Sequence, residues 1–242
     1  MASTGDETSF RLSPGAAPVI LQVGQEREPV VVIDDASGQA ARLRAFAAER
    51  SRFEPADRVG SAYPGLLGPA PIAYIDALVR LSLPLIAAHF TGQSVTPARA
   101  RGNFSLVTTS GTDLDEAQRR PHVDAADRMQ FAVVHFLSDT NDDGTGFFRH
   151  RATGFETIDP DRLAEYHAAQ DNERGQPSSH YQTGSDACYE MTAAVPAVCD
   201  RLILYRAALL HSGLITDVPT NPADPRHGRL TGNLFLQCRR AM

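Results

Sequence analysis

Two short apolar runs stand near the start of the chain. Val19–Val23 and Pro29–Ile33 read as strands, the second apolar at almost every position, as a strand covered on both faces requires. Asp34, Asp35 and Ser37 then offer N-caps for a helix to about Arg50, with leucine, phenylalanine and alanine at helical spacing. Tyr63-Pro64-Gly65 marks a turn, and a second helix is expected over Ile72 to Phe90, kinked near Pro84. From Gly102 the pattern changes to short strands separated by turns, at about 102–109, 119–123, 129–137, 146–150, 188–194, 200–206, 210–215 and 228–237. Asp142-Asp143-Gly144 is a turn signal between two of them. One further helix, about Pro160 to Gln170, leads into a polar loop running to Asp186. Loops of that length inside a domain are usually functional, and Asp171–Asp186 is expected to act as a lid. Residues 1–14 are expected to be a flexible leader and 15–242 a single domain, with helical support at about 35–90 and a β core at about 102–237.

Composition narrows the chemistry. All 23 cationic side chains are arginine, which removes phosphate loops, Schiff bases and Ser-Lys hydrolysis, each of which needs a lysine. Net charge is −6 without a basic tract, so neither nucleic acid nor an anionic membrane surface is an expected partner. Cys188, Cys199 and Cys238 are widely spaced and contain no Cys-x-x-Cys pair, which fits small apolar fillers in a reducing compartment. The polar start has no signal-peptide layout, and runs such as Val30–Ile33 and Leu202–Tyr205 are too short to cross a bilayer. A soluble, cytoplasmic protein is the expectation.

The candidate chemistry begins at His122-Val123-Asp124. Residues two apart on a strand share a face, so imidazole and carboxylate can converge. His211 starts a later strand, and two imidazoles with one carboxylate form the facial donor set of non-haem Fe(II) oxygenases. By itself His-x-Asp arises easily by chance among eight histidines. A second feature strengthens it. In Gly228–Leu236, residues Arg229, Thr231, Asn233 and Phe235 share one face while Leu230, Leu234 and Leu236 share the other. An inward arginine needs a carboxylate, supplied either by a ligand or by the protein's own Asp or Glu. Other motifs fail. Asp139, Asn141, Asp143 and Gly144 open like a calcium loop, but His150 stands where the bidentate glutamate belongs. No Gly-x-Ser-x-Gly, His-Glu-x-x-His or Gly-x-Gly-x-x-Gly occurs. His135 reads as a hydrogen-bonded scaffold imidazole facing away from a pocket that Val134 and Phe136 face. His89, His167, His180 and His227 have no matched partner in the sequence.

His-x-Asp, a distant His and then Arg-x-Thr on the last strand resembles the Fe(II)- and 2-oxoglutarate-dependent dioxygenases. The run Phe147–Glu156 is similar to uncharacterised bacterial members of the prolyl-hydroxylase-like branch. The resemblance covers Gly102 to Gln237 and the opening Val30–Arg50. Arg229 lies 18 residues after His211, a long spacing, and Arg226 competes for its role; Arg229 is preferred because it sits in the alternating strand. The resemblance implies a mainly β fold with flanking helices, a double-stranded β-helix of the jelly-roll, cupin-like type. It implies that His122, Asp124 and His211 hold Fe(II) and act through it. Arg229 and Thr231 would take 2-oxoglutarate, with O2 consumed, succinate and CO2 released, and ascorbate stimulating. The carboxylate ligand Asp124 favours hydroxylation, desaturation or ring closure over halogenation. Arg149, His150 and Arg151, with Phe148, are placed beside the pocket mouth, where an acidic substrate could be held; equally, they could pair with Asp or Glu on the surface. Phe136, Asn233 and Phe235 complete the expected substrate contacts. The substrate is an amino-acid-like small molecule or a peptide side chain, and the oligomeric state stays open. Two other readings stand beside this one: a non-catalytic jelly-roll metal-binding or sensor protein, and a cupin-type metalloenzyme that does not use 2-oxoglutarate.

Overall fold

The alternation along the chain resolves into two antiparallel sheets flanked by helices. A computed structural model describes residues 13, 15–138, 144–175 and 180–241. Most of the expected leader, the turn at Asp142-Asp143, the calcium-loop positions 139, 141 and 143, and the middle of the expected lid (176–179) lie outside them. The strands are β1 (Pro18–Val23), β2 (Glu28–Ile33), β3 (Glu54–Pro55), β4 (Gly65–Gly68), β5 (Val95–Val107), β6 (Gln130–Phe136), β7 (Gly144–His150), β8 (Tyr189–Pro196), β9 (Leu202–Arg206), β10 (His211–Leu214) and β11 (Leu230–Arg240). The helices are α1 (Ala40–Arg50), α2 (Ile72–Ile86) and α3 (Leu163–Asn172).

One sheet runs β1-β2-β9-β6-β11-β5-β4-β3 and the other β10-β7-β8, extended by an isolated bridge between His122 and His211. Taking β5, the His122 bridge, β6, β7, β8, β9, β10 and β11 as eight core strands, the first, eighth, third and sixth form one sheet. The second, seventh, fourth and fifth form the other. That order is a double-stranded β-helix: the chain repeatedly crosses between two facing sheets, which bury one face of each.

The large sheet uses both faces. Val31, Ile33, Phe131, Val133, Leu202, Leu204, Leu234 and Leu236 pack with the helices in the main core. Their alternate neighbours Val30, Val32, Ala132, Phe136, Ile203 and Tyr205 face Phe147 and Val195 of the small sheet. Gly232 lets α2 approach closely, since a Cβ there would lie 2.2 Å from the Tyr74 hydroxyl.

Differences from the sequence expectations have local causes. β5 starts at Val95 because Thr96–Arg101 is polar and exposed; its pairing with β11, not apolar periodicity, makes it a strand. The strand expected at 119–123 contracts to one bridge. β3 and β4 are too short to leave a periodic signal. α1 begins at Ala40, with Gln39 as N-cap and no side-chain cap, because the amides of Ser37 and Gly38 are taken by the Asp200 carboxylate. α2 carries Pro84 internally and continues as a wide π turn over Ala87–Thr91. Ile72–Thr91 is, by length and composition, long and apolar enough to cross a membrane, which the run lengths in the sequence did not suggest. Here its face of Tyr74, Ala77, Leu78 and Ile86 packs in the main core. Cys188, Cys199 and Cys238 form no disulfide among the described residues.

Candidate metal centre

His122 and His211 are brought together by main-chain pairing. Each amide donates to the other's carbonyl at 2.9 Å, which sets the two imidazoles side by side with ring centroids 4.5 Å apart. The Asp124 amide donates to the Ala207 carbonyl at 2.9 Å, turning its carboxylate back towards both rings while Val123 packs away from them. One Asp124 oxygen lies 3.9 Å from His122 Nε2 and the other 3.5 Å from His211 Nε2. One ligand atom from each of the three residues falls within 4.8 Å of the others. His211 Nδ1 donates to the Leu209 carbonyl at 2.8 Å, which leaves the Nε2 lone pair facing the carboxylate.

Desolvation dominates the electrostatics. It pushes His211 down to about 4, with the Leu209 hydrogen bond opposing, and raises Asp124 to about 6, with His122 pulling back. At His122 the downward push comes from desolvation first and His211 second. Water reaching its 54%-exposed side chain weakens that push. Neutral imidazoles suit a cation as they stand, and a divalent ion among them would hold Asp124 ionised. The donor set fits a ferrous ion on those grounds.

A second polar cluster lies deeper. Arg229 is buried, donates through Nη2 to the Gly144 carbonyl at 3.1 Å, and sits over Phe136 with its guanidinium carbon 6.0 Å from the ring centroid. Thr231 Oγ1 and Ser105 Oγ are 2.7 Å apart, and Asn233 Nδ2 donates to Ser105 Oγ at 2.8 Å. The buried Tyr63 hydroxyl makes no hydrogen bond; Ser105 and Arg229 stand near it without satisfying it. Burial raises the Tyr63 phenol, with the Arg229 charge pulling the other way. The metal donors, Tyr63, Arg229 and Thr231 line a single cavity of about 490 Å³, together with Tyr205, Asn233 and Phe235, while Ser105 is buried behind them. Such a volume suits a small organic ligand.

The structure therefore brings His122, Asp124, His211, Arg229, Thr231, Asn233 and Phe235 together. Phe136 shares their face but is buried under Arg229. Phe148, Arg149, His150 and Arg151 do not line the cavity. Phe148 packs beneath the small sheet with Ile158 and Leu210. His150 is fully buried between Thr153 and Glu173. Arg149 donates to the Gly154 carbonyl and Arg151 to that of Asp186. The placement expected at the mouth ignored that Arg149 and Arg151 lie past Phe147, the β7 residue opposite His211. Arg226 lies outside as well, paired with Glu49 and Asp224. His135 is a buried scaffold imidazole between Tyr74 and Asp200. Tyr63, Ser105 and Tyr205 were missed. Tyr205 shares a face with Ile203, so alternation alone could have found it, whereas Tyr63 read only as part of a turn.

Eight core strands folded as a double-stranded β-helix, with a His-x-Asp…His donor set at one end of the interior, define the class. The chain belongs to the family of unknown function DUF6445, whose model matches residues 14–236. No curated protein matches it. Among solved structures it is similar to the non-haem α-ketoglutarate-dependent epimerase SnoN from nogalamycin biosynthesis, at 14% identity, covering 87% of this chain and 78% of that one, TM-score 0.46. It is also similar to HygX from Streptomyces hygroscopicus with nickel and 2-oxoglutarate bound, at 15% identity over 88% and 84%, TM-score 0.46. A Pseudomonas putida prolyl-4-hydroxylase matches at 14% identity over 85% of each chain, TM-score 0.35. At these identities a likeness concerns fold alone, and the architecture rests on the strand pairing above.

Proposed function

We propose that this protein is a non-haem Fe(II)- and 2-oxoglutarate-dependent oxygenase that hydroxylates an amino-acid-like small molecule or a peptide side chain. One observation carries the reading: a facial metal-donor set and a buried Arg-Thr-Tyr cluster occupy one cavity of about 490 Å³. When bound, the ferrous ion and the 2-oxo acid supply oxidative chemistry with O2, releasing succinate and CO2. His122, Asp124 and His211 would hold the ion. The chain's other residues orient and shield. The Leu209 carbonyl fixes the His211 tautomer. Arg229 is held over Phe136 and against Gly144, so its charge is aimed without reorganisation when a carboxylate arrives. Thr231 and Tyr63 offer hydroxyls to the same group, and Tyr205 packs edge-on against His211, limiting water beside the donors.

The succinate assay tests this. Aerobic wild-type protein with Fe(II), ascorbate and 2-oxoglutarate is expected to release succinate slowly without added substrate, and His122→Ala to release none. Equal yields from both would reject the enzyme, leaving the metal-binding sensor reading. Iron binding with oxygen uptake but no dependence on 2-oxoglutarate would favour the cupin-type reading.

The hydroxyl of Tyr63 gives a finer check. Tyr63→Phe is expected to raise the KM for 2-oxoglutarate about 5- to 10-fold with kcat little changed, from loss of one hydrogen bond of ordinary strength. Arg229→Ala should weaken 2-oxoglutarate about a hundredfold, since charge-assisted pairs are worth more. Initial-rate kinetics at varied 2-oxoglutarate read both.

A further inference from the structure

The inner face of the large sheet does not end at the metal donors. On β5, Ser105, Asn103, Arg101 and Arg99 follow one another on the cavity side, opposite Thr231, Asn233, Phe235 and Gln237 of β11. Thr231 and Asn233 lie towards Arg229. Beyond Phe235 the same face opens into a groove of about 870 Å³ whose lining includes Asp124, Arg99, Arg101 and Gln237. Asp124, Asn103 and Phe235 line both spaces, so groove and cavity meet at the metal donors.

The charge of this groove is unusual for the chain. Net charge overall is −6, yet the groove carries Arg52, Arg99 and Arg101 against Glu54 and Asp124. Glu54 is 3.3 Å from Arg52, and Asp124 belongs to the donor set. Arg99 and Arg101 are exposed, and neither makes a side-chain hydrogen bond or ion pair among the described residues. Two adjacent guanidiniums pointing the same way from one strand repel each other, and nothing in β5 packing requires them. A solvated strand face would mix signs, as the surface elsewhere does with Arg226–Glu49 and Arg174–Asp171. With Glu54 beside Arg52 and Asp124 in the donor set, Arg99 and Arg101 set the sign of the field in their part of this concave surface.

We infer that Arg99 and Arg101 bind the anionic group of the substrate, a carboxylate- or phosphate-bearing molecule that lies along this groove with its reacting carbon at the His122–Asp124–His211 end. In naming a substrate, this rests on the oxygenase reading above. The strand sets the scale. Arg101 and Arg99 pair with positions two and four residues beyond Asn233, about 7 and 14 Å along β11. The two guanidiniums thus succeed one another about 7 Å apart along the groove, a spacing that an extended anion can bridge. The role given by sequence to Arg149 and Arg151 is thereby carried by another arginine pair, on the strand whose polar start hid it.

Isothermal titration of the metal-free full chain tests this without iron or oxygen. The probes are tricarballylate, its uncharged triamide, and inorganic pyrophosphate. Tricarballylate, pyrophosphate or both should bind saturably, more weakly as salt is raised, while the triamide should not bind. Which anion binds more tightly separates a carboxylate from a phosphate substrate. Arg99→Gln/Arg101→Gln, at exposed positions that leave the fold intact, should weaken the binding about tenfold or more. Arg226→Gln, at an exposed guanidinium outside both spaces, should leave it unchanged. The inference is overturned by absence of saturable binding, by equal binding of the triamide, or by equal binding to the Arg99/Arg101 double variant. Because no metal enters the titration, its failure leaves the succinate assay standing, and an inert succinate assay leaves the titration readable.

Discussion

Replacing His211 with alanine is expected to lower divalent-metal affinity by about a hundredfold or more, measured by competition against a chromogenic chelator. Loss of an outer-shell partner to a ligating histidine already costs about 10- to 100-fold, and here the ligand itself is removed. The buried position of His211 makes the substitution severe. Its Nε2 is presented to Asp124 by the Leu209 hydrogen bond, and no other described imidazole reaches that point. At His122, by contrast, a half-exposed side chain leaves room for a water molecule to replace the nitrogen, so His122→Ala should retain more metal than His211→Ala. Asp124→Asn supplies the control for packing. It keeps the shape and removes the charge, and should lose metal while the thermal midpoint of the metal-free protein changes little or rises, because the buried carboxylate is already destabilised by desolvation. Metal affinity in all three variants equal to that of the wild type would mean that these residues do not form a metal site.

How far the sequence reached depends on the range of the signal. Alternation in Arg229–Leu236 correctly assigned both faces of β11, because an apolar face against helices and a polar face towards a cavity write opposite chemistry on alternate residues. His-x-Asp was legible for the same reason. The cationic stretch Arg99–Arg101 was not, since a strand exposed along that length carries no apolar period and exists through its pairing with β11. Arg149 and Arg151 failed differently: β10 begins at His211, opposite Phe147, so both arginines lie further along β7, past the donor set, where they meet the Gly154 and Asp186 carbonyls. Tyr63 reaches Arg229 only because β4 pairs with β5, a contact between segments that no local pattern announces.

The back of the large sheet yields the second large effect. Asp200→Asn is expected to destabilise the fold by about 3 kcal/mol at pH 7, the scale of breaking a buried charge-assisted network. The Asp200 carboxylate accepts from the amides of Ser37 and Gly38, from the Ser37 hydroxyl at 2.5 Å and from His135 Nε2 at 2.8 Å. His135 Nδ1 in turn lies 3.0 Å from the Tyr74 hydroxyl of α2. One side chain thus ties the segment before α1, strand β6 and helix α2 to the start of β9. Asparagine is the informative replacement because Asp200 has φ of 64°, a conformation asparagine tolerates and alanine does not. It isolates the charge from backbone strain. The effect should also depend on pH. Burial alone would raise the Asp200 carboxyl, but hydrogen bonds from His135, Ser37 and Gly38 outweigh it and hold the group below its ordinary 3.8. A carboxyl depressed on folding contributes stability that is complete above its unfolded value and is lost as pH falls through the folded one. Urea unfolding of wild type and Asp200→Asn should therefore differ most at neutral pH and begin to converge below about pH 4, where the unfolded chain takes up the proton, closing fully only below the lower folded value. A gap that stayed constant down to pH 3 would show that shape, not charge, is what Asp200 contributes. Since β9 places Tyr205 against His211 and β6 places Ala132 and Val134 in the cavity wall, loosening this network should also reach the metal centre.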